Sequence, residues 1–276
     1  LPSLTDANGV PVGAVYGFCS MLIRLLEDAD DGYIAVVFDA ARKTFRNDIY
    51  EDYKANRPET PEDLKPQFQI IRDACEAFGL PSVELEGYEA DDLIATYTRT
   101  ALEKGGDVKI VSSDKDLMQL LKDGVKMIDP IKFEEIGEKK MRKKFACTDP
   151  AKLIDIQALC GDTSDNIPGV PGIGPKTAAK LIEQYDTLEN LLEHLDEIPQ
   201  NKRRETLKEH KDEALISKKL VTLKSDAPLP MALKNLDDYE YDHDRLINFL
   251  REHDFQTLAT RVIKKFGTGE EATYET

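Results

Sequence analysis

Long hydrophobic runs are missing from this 276-residue chain. The longest, such as Tyr33 to Phe38, are far too short to span a bilayer, which excludes a membrane protein. The opening Leu1-Pro-Ser-Leu-Thr5 has neither a basic region nor an apolar stretch, so it is no signal peptide, and no initiator methionine stands there. Cysteine is sparse: Cys19, Cys75, Cys147 and Cys160 show no metal-binding or redox spacing and read as reduced, mostly buried thiols of a cytosolic protein. His194, His210, His243 and His253 come late and form no motif, which argues against a His-based metal site or a Ser/His/Asp triad. Bases are in deficit, 37 against 53 acids for a net charge of −16, which taken alone argues against a nucleic-acid partner.

What is present is a globular composition, 41% apolar and 33% charged, long enough for one large domain or one domain with a smaller one appended. The charges are localised. Glu86 to Asp92 holds four acids and no base, Arg42 to Arg57 five bases against three acids, and Lys139 to Lys144 five bases in six residues. An acidic centre flanked by basic patches differs physically from a uniformly acidic surface.

The apolar spacing predicts helices over Gly13–Leu26, Gln67–Phe78, Glu89–Lys104 and Pro150–Cys160, with a short one over Lys115–Leu121. Short β-branched runs predict strands over Tyr33–Phe38, Ser82–Leu85, Val108–Val111 and Val125–Ile128, and a weaker signal covers Leu220–Leu223. Strands alternating with helices imply a parallel, helix-flanked sheet. After about Lys144 the chain reads as helical, with turns at Gly161, Gly169–Gly174 and Pro199. The polar stretch from Ala40 to Pro66 is long for a connection, which marks it as functional.

Asp39, Glu89, Asp91, Asp92, Asp114 and Asp116 all follow predicted strands, and Asp162 and Asp165 follow the Pro150–Cys160 helix. Functional groups of an open α/β sheet gather beyond the carboxyl ends of its strands, so these acids are expected to converge. Carboxylates that crowd one site repel and raise one another's pKa values, and hard divalent cations with oxygen ligands relieve this. Two such ions suit phosphodiester hydrolysis. Removing these eight acids from the net charge of −16 leaves −8. A single acid at a helix start also reads as a cap, and that reading suits Glu89, Asp162 and Asp165 one at a time.

Gly169-Val-Pro-Gly-Ile-Gly-Pro-Lys-Thr-Ala178 packs three glycines into six residues and runs straight into a helix. Backbone N–H groups at such a helix start can bind phosphate, and Lys176 adds charge beside them. An ordinary helical turn is the alternative, and the GxxxxGK[ST] spacing of a nucleotide-binding loop is absent.

Glu89-Ala-Asp-Asp92, Ser113-Asp-Lys-Asp-Leu117 and the run from Gly161 to Ala178, in this order, resemble the 5′→3′ exonuclease and flap endonuclease family. Phe38-Asp-Ala40, Thr44-Phe-Arg46 and Tyr53-Lys-Ala-Asn-Arg-Pro58 make the chain similar to the N-terminal exonuclease domains of the bacterial DNA polymerase I type. The resemblance runs to about Phe266. It implies an α/β fold: a PIN-like parallel-sheet nuclease core over 1–147, with an arch at about 40–66, and a helical helix-three-turn-helix (helix-hairpin-helix) DNA-binding region over 148–223. A C-terminal segment, 224–276, completes the chain, its last ten residues loose. It also implies a cytoplasmic, nucleoid-associated monomer, fused to polymerase domains in a parent protein, that uses Mg²⁺ or Mn²⁺ to hydrolyse 5′ ends and 5′ flaps of duplex DNA in replication and repair, RNA primers included.

Carried over residue by residue, the resemblance makes Asp39, Glu89, Asp91, Asp92, Asp114, Asp116, Asp162 and Asp165 the metal set, for two ions. Arg46, Lys54 and Arg57 become the basic catalytic residues in and beside the arch, which hold the scissile phosphate and stabilise its developing charge, and which otherwise read as a solvated charged face. Gly169, Gly172, Gly174, Lys176 and Thr177 would grip duplex backbone without reading sequence, and K⁺ could sit on hairpin carbonyls. Tyr50 and Tyr53 could stack on an unpaired base. Lys202-Arg203-Arg204 and Lys139–Lys144 are weaker DNA contacts. Family members begin with a strand ending in Asp before the stretch matching Leu1, so the chain as written is expected to cleave slowly. Two other readings stand: a catalytically impaired module binding branched DNA, and another metal-dependent phosphoryl-transfer enzyme, against which the Gly169–Ala178 hairpin speaks.

Overall fold

A computed structural model describes residues 4–27, 32–237 and 242–267. In chain order the elements are α1 Gly13–Glu27, β1 Val36–Val37, α2 Phe45–Ile49, α3 Lys65–Ala77, β2 Ser82–Val83, α4 Ala90–Glu103, β3 Val108–Val111 and β4 Val125–Ile128. Then follow α5 Glu138–Phe145, α6 Leu153–Cys160, α7 Pro175–Tyr185, α8 Leu188–Glu193, α9 Asn201–Glu209, α10 Lys211–Val221, α11 His243–Glu252 and α12 Gln256–Phe266. The chain forms two compact units, neither continuous in sequence.

The first unit is Leu1–Phe38, Glu59–Glu84 and Pro230–Thr276. Its core joins Val15, Cys19, Leu22 and Ile23 of α1 to Phe78 after α3 and to Leu246, Leu250, Leu258 and Val262 of α11 and α12. β1 and β2 pair in parallel, Val36 opposite Ser82 and Val37 opposite Val83. The expected strand over Tyr33–Phe38 is this short because Tyr33 stands 53% exposed, outside the packed face. All four cysteines are free, with Cys19 and Cys75 buried, and burial pushes the Cys75 thiol up to about 12.

The second unit is Asp39–Pro58 with Leu85–Leu229. β3 and β4 pair in parallel from Val108 opposite Val125 to Val111 opposite Ile128. α6 is buried along Leu153, Ile156, Ala158 and Leu159 and packs on α7 and α10. Fully burying each such leucine or isoleucine is worth about 1.5–3 kcal/mol. The signal at Leu220–Leu223 is not a strand: Ala214, Ser217, Leu220 and Val221 are buried at helical spacing, as the last turns of α10. The helix expected over Lys115–Leu121 is a 3₁₀ turn, Asp116–Leu120, and Pro150–Cys160 divides into a 3₁₀ turn and α6. No described helix is long and apolar enough to cross a membrane. The tail expected to be loose lies, after Gly267, outside the described residues.

Candidate active site

Every candidate ligand belongs to the second unit. β3 ends at Val111, its ladder continued by the Ser112 N–H donating to the Ile128 carbonyl, and Asp114 comes just beyond. Asp114 Oδ1 then accepts the Asp116 N–H at 2.9 Å, opening the 3₁₀ turn. Glu89 is the N-cap of α4, and Asp91 and Asp92 lie in its first turn. Asp39 Oδ1 accepts the Ala90 N–H at 2.8 Å, which brings it to the same helix start. Asp162 and Asp165 sit in the turn after α6, closed by the Asp162–Ile167 bridge. Glu89, Asp91, Asp114, Asp116 and Asp165 line one cleft, together with Arg46, Lys54 and Arg57.

The expected convergence is corrected in one respect. Among the described residues, no three carboxylates stand close enough to hold one ion. Basic side chains lie between them instead. Lys54 Nζ meets Glu89 Oε1 at 2.6 Å, Arg57 Nη2 meets Asp165 Oδ1 at 2.6 Å, and Lys115 Nζ donates to Asp162 Oδ2. Carboxylates this close repel unless neutralised, and the cations supply that charge. The cleft they leave is about 30 Å³, room for about one water.

Arg46 and Asp92 differ from both readings of the sequence. Arg46 is 1% exposed, so it lies on no solvated face, and Asp92 is fully buried. Arg46 Nη1 and Nη2 meet Asp92 Oδ2 and Oδ1 at 2.7 and 2.8 Å, a bidentate fork. The Glu89 N–H donates to Oδ2 at 3.0 Å and the Lys224 N–H to Oδ1 at 2.9 Å. All four lone-pair positions of Asp92 are thereby used, so it is reassigned from metal ligand to anchor of Arg46. Arg46 Nε also donates to the Leu220 carbonyl at 2.8 Å, tying α2 to α10.

Tyr53 is corrected likewise. It is 5% exposed, with no face open to a base, and its hydroxyl donates to Glu89 Oε2 at 3.2 Å. Burial, then Glu89, hold that phenol above its ordinary pKa, so it keeps its proton. The next residue, Lys54, adopts φ 58°, a left-handed conformation that costs a lysine about 1–2 kcal/mol. The backbone is held there: the Lys54 N–H donates to the Asp165 carbonyl at 2.9 Å, and Asn166 Nδ2 donates to the Asp52 carbonyl at 2.7 Å. The 45–57 part of the expected arch is therefore laid against the Asp162–Asn166 turn.

Negative charge remains in excess. Burial pushes the Asp91 carboxyl well above the usual range, and Asp114, Asp116, Glu89 and Asp39 push it further. No donor or cation among the described residues meets Asp91. Asp116 is also raised, by burial first and by Asp114, although Lys115 and a 2.5 Å hydrogen bond from Gln157 Nε2 pull the other way. Asp162 goes down: burial raises it, but Lys115 and Ser164 outweigh burial. An all-oxygen donor set with uncompensated charge at Asp91 fits a hard divalent cation.

The hairpin separates into a buried and an exposed part. Gly169 is buried at φ +59°, its N–H donates to Ser217 Oγ at 3.0 Å, and a Cβ there would lie 2.3 Å from the Gly161 nitrogen. It holds the turn together and is corrected from DNA contact to structural glycine. Gly172, Gly174 and Lys176 are exposed, and no internal acceptor among the described residues meets their N–H groups. Thr177 is half-buried, its N–H turned to the Gly174 carbonyl. Of the weaker basic candidates, Arg203 is bonded to Gln200 and Arg204 to the Ile198 carbonyl, while Lys202 is exposed. Arg142, Lys143 and Lys144 of α5 are exposed.

Sequence reasoning missed Lys115, although it sits inside the quoted Ser113-Asp-Lys-Asp-Leu117 motif. It also missed Gln157, whose position on α6 carried no sequence signal for a contact 41 residues away.

A family model described as "5'-3' exonuclease, N-terminal resolvase-like domain" matches residues 1–146, and one described as "5'-3' exonuclease, C-terminal SAM fold" matches residues 148–244. The DNA polymerase I of Rhizobium leguminosarum is 51% identical over 270 residues, 95% of this chain and 26% of the polymerase. This chain thus spans about a quarter of that relative's length. The 5'-3' exonuclease of Aquifex aeolicus is 42% identical over 209 residues, 74% of this chain and 72% of that one. Among solved structures, T5 5'-exonuclease with bound zinc superposes with a TM-score of 0.67 at 22% identity, covering 92% of this chain and 91% of that one. The bacteriophage T5 flap endonuclease, in a pseudo-enzyme-product complex with DNA and metal ions, gives a TM-score of 0.66 at 20% identity over the same shares. At such identities the superpositions establish a shared fold, whereas the family models and the Aquifex relative carry sequence descent. The chain belongs to the 5′–3′ exonuclease family.

Proposed function

We propose that the chain is a divalent-metal-dependent nuclease that hydrolyses the 5′ ends and 5′ flaps of duplex DNA in replication and repair. The observation that carries this reading is Asp91, which lines one cleft with Glu89, Asp114, Asp116 and Asp165 and has no cation of its own among the described residues. Asp91, Asp114 and Asp116, with Glu89 and Asp39 beside them, would have to draw together to hold one ion, since no three of them stand within reach of a common point, and Asp162 and Asp165, with Asp116 shared, would contribute to a second. Mg²⁺ and Mn²⁺ suit these hard oxygen donors. Bound there, such ions supply Lewis-acid polarisation of the phosphodiester and activation of a water.

The chain's own cations complete the reading. Arg57 is half exposed at the cleft edge, and Lys54 lies in the cleft wall. Released from Asp165 and Glu89, they can hold the phosphate and offset its developing charge. Arg46, engaged by Asp92 and the Leu220 carbonyl, would act by holding the cleft wall in place. The exposed N–H groups of Gly172, Gly174 and Lys176, with the Lys176 ammonium, offer contacts to phosphate and none to base edges, which suits duplex held irrespective of sequence.

The test is cleavage of a duplex carrying a 5′ flap, with Mg²⁺, with Mn²⁺ and in chelator. Cleavage near the flap junction only with metal is expected. Cleavage undiminished by chelator would overturn the metal assignment. Binding without cleavage under all three conditions would make the chain a branched-DNA-binding module.

A further inference from the structure

We infer that Lys115 is a built-in occupant of the second metal position, an ammonium that a divalent ion must displace in order to bind there. The inference rests on the metal-dependent reading above and extends it to a residue outside the expected set. Lys115 springs from the turn after β3, between Asp114 and Asp116, and its Nζ crosses to the turn after α6 to donate to Asp162 Oδ2. The same Nζ stands 3.5 Å from Asp116 Oδ1. One ammonium thus bridges carboxylates from two separate elements.

The neighbouring bonds show what displacement would release. Asp162 Oδ1 is already engaged, accepting the Ser164 N–H at 2.9 Å and the Ser164 hydroxyl at 2.5 Å. Oδ2 has Lys115 as its partner. Gln157 Nε2 donates to Asp116 Oδ1 at 2.5 Å, on the same oxygen that Lys115 approaches, so it continues to orient this carboxylate when the ammonium moves. Moving the ammonium away therefore leaves two oriented carboxylates facing one space, Asp162 still held by Ser164 and Asp116 by Gln157. At Asp91, by contrast, no cation among the described residues has to leave. The lysine stem is flexible, so it can move without disturbing the backbone of the turn. A single charge held in that space lowers the affinity of a dication for it, by roughly tenfold or more at contact distance.

The experiment compares the full chain with Lys115→Met, which keeps the length and removes the charge, and Lys115→Arg, which keeps the charge. Mn²⁺ binding is measured by calorimetry without DNA, and Tm is measured in chelator and in saturating Mn²⁺. The inference expects Lys115→Met to bind its weaker Mn²⁺ at least about tenfold more tightly. It also expects that variant to have a lower Tm than the parent in chelator, where Asp162 has lost its partner, and to regain it in Mn²⁺. Lys115→Arg should resemble the parent. A merely structural lysine would lower Tm in both conditions and leave the Mn²⁺ affinity unchanged or weaker, and that result would overturn the inference while leaving the metal reading in place. A parent chain that binds no Mn²⁺ would overturn both.

Discussion

Two buried charges set what single substitutions should do. Arg46 and Asp92 satisfy each other in a site with almost no water. Truncating one partner of such a pair strands the other, at a cost of about 3–5 kcal/mol. Arg46→Ala should therefore shift the urea midpoint strongly, and Arg46→Lys should recover only part of the loss because an ammonium cannot reproduce the fork. Full stability in both variants would show that Arg46 is not a structural residue. Asp91 behaves in the opposite sense. An acid whose pKa is higher folded than unfolded favours folding in its protonated form, so its contribution is present below about pH 4 and is lost as pH rises through the raised value. In chelator at neutral pH, Asp91→Asn should melt above the parent, each kcal/mol moving Tm by roughly 2–4 °C, and the gap should close towards pH 4. A gap independent of pH would exclude charge as the cause. The acids were legible in the sequence because position after a strand is a periodic property. The burial of Arg46 and Tyr53 was not, because an arginine or tyrosine in a polar stretch has the same local pattern whether it faces solvent or pairs with a carboxylate 36 to 46 residues away.

At the level of elements, the glycines of the turn after α6 divide by what surrounds them. Gly169→Ala would drive a Cβ against the Gly161 backbone at a positive φ and should cost about 2–4 kcal/mol in urea denaturation. Gly174→Ala, with open space and an ordinary φ, should cost no more than about 1 kcal/mol. Equal effects would mean that the buried half of the hairpin does not hold it together. Lys176 is exposed in the first turn of α7, and Lys176→Ala should weaken DNA binding alike on unrelated sequences and lower the salt slope by about one phosphate. Loss confined to particular sequences would contradict backbone recognition. The Gly-x-Gly-x-Lys pattern was readable because glycine spacing is local chemistry. Which glycine is buried was not, since that depends on Ser217 of α10, 48 residues on. The same holds for Leu220–Leu223, where four apolar or branched residues carry too little period to separate a strand from a helix end.

Across the whole molecule, the net charge of −16 conceals a local balance. The eight candidate acids less Arg46, Lys54, Arg57 and Lys115 leave four negative charges, which two divalent ions would neutralise. Divalent metal should then raise the unfolding temperature while NaCl at matched ionic strength does not, with about 2.7 kcal/mol gained per site at a hundredfold excess over Kd. An equal shift with NaCl would point to general screening. The first unit carries a consequence of another kind. Its core needs Val15, Leu22 and Phe78 together with Leu246, Leu250 and Val262. A ribosome releases the chain in order, at ~5–20 residues per second, so α1 and α3 wait on the order of ten seconds or more for α11 and α12. Asp39–Pro58 and Leu85–Leu229 are complete slightly sooner, with Leu229 14 residues ahead of α11, roughly two to seven seconds before α12 ends at that rate. During synthesis the carboxylate cleft can therefore be assembled while the apolar faces of α1 and α3 still lack their cover, and it is in that interval that the nascent chain has most need of a chaperone.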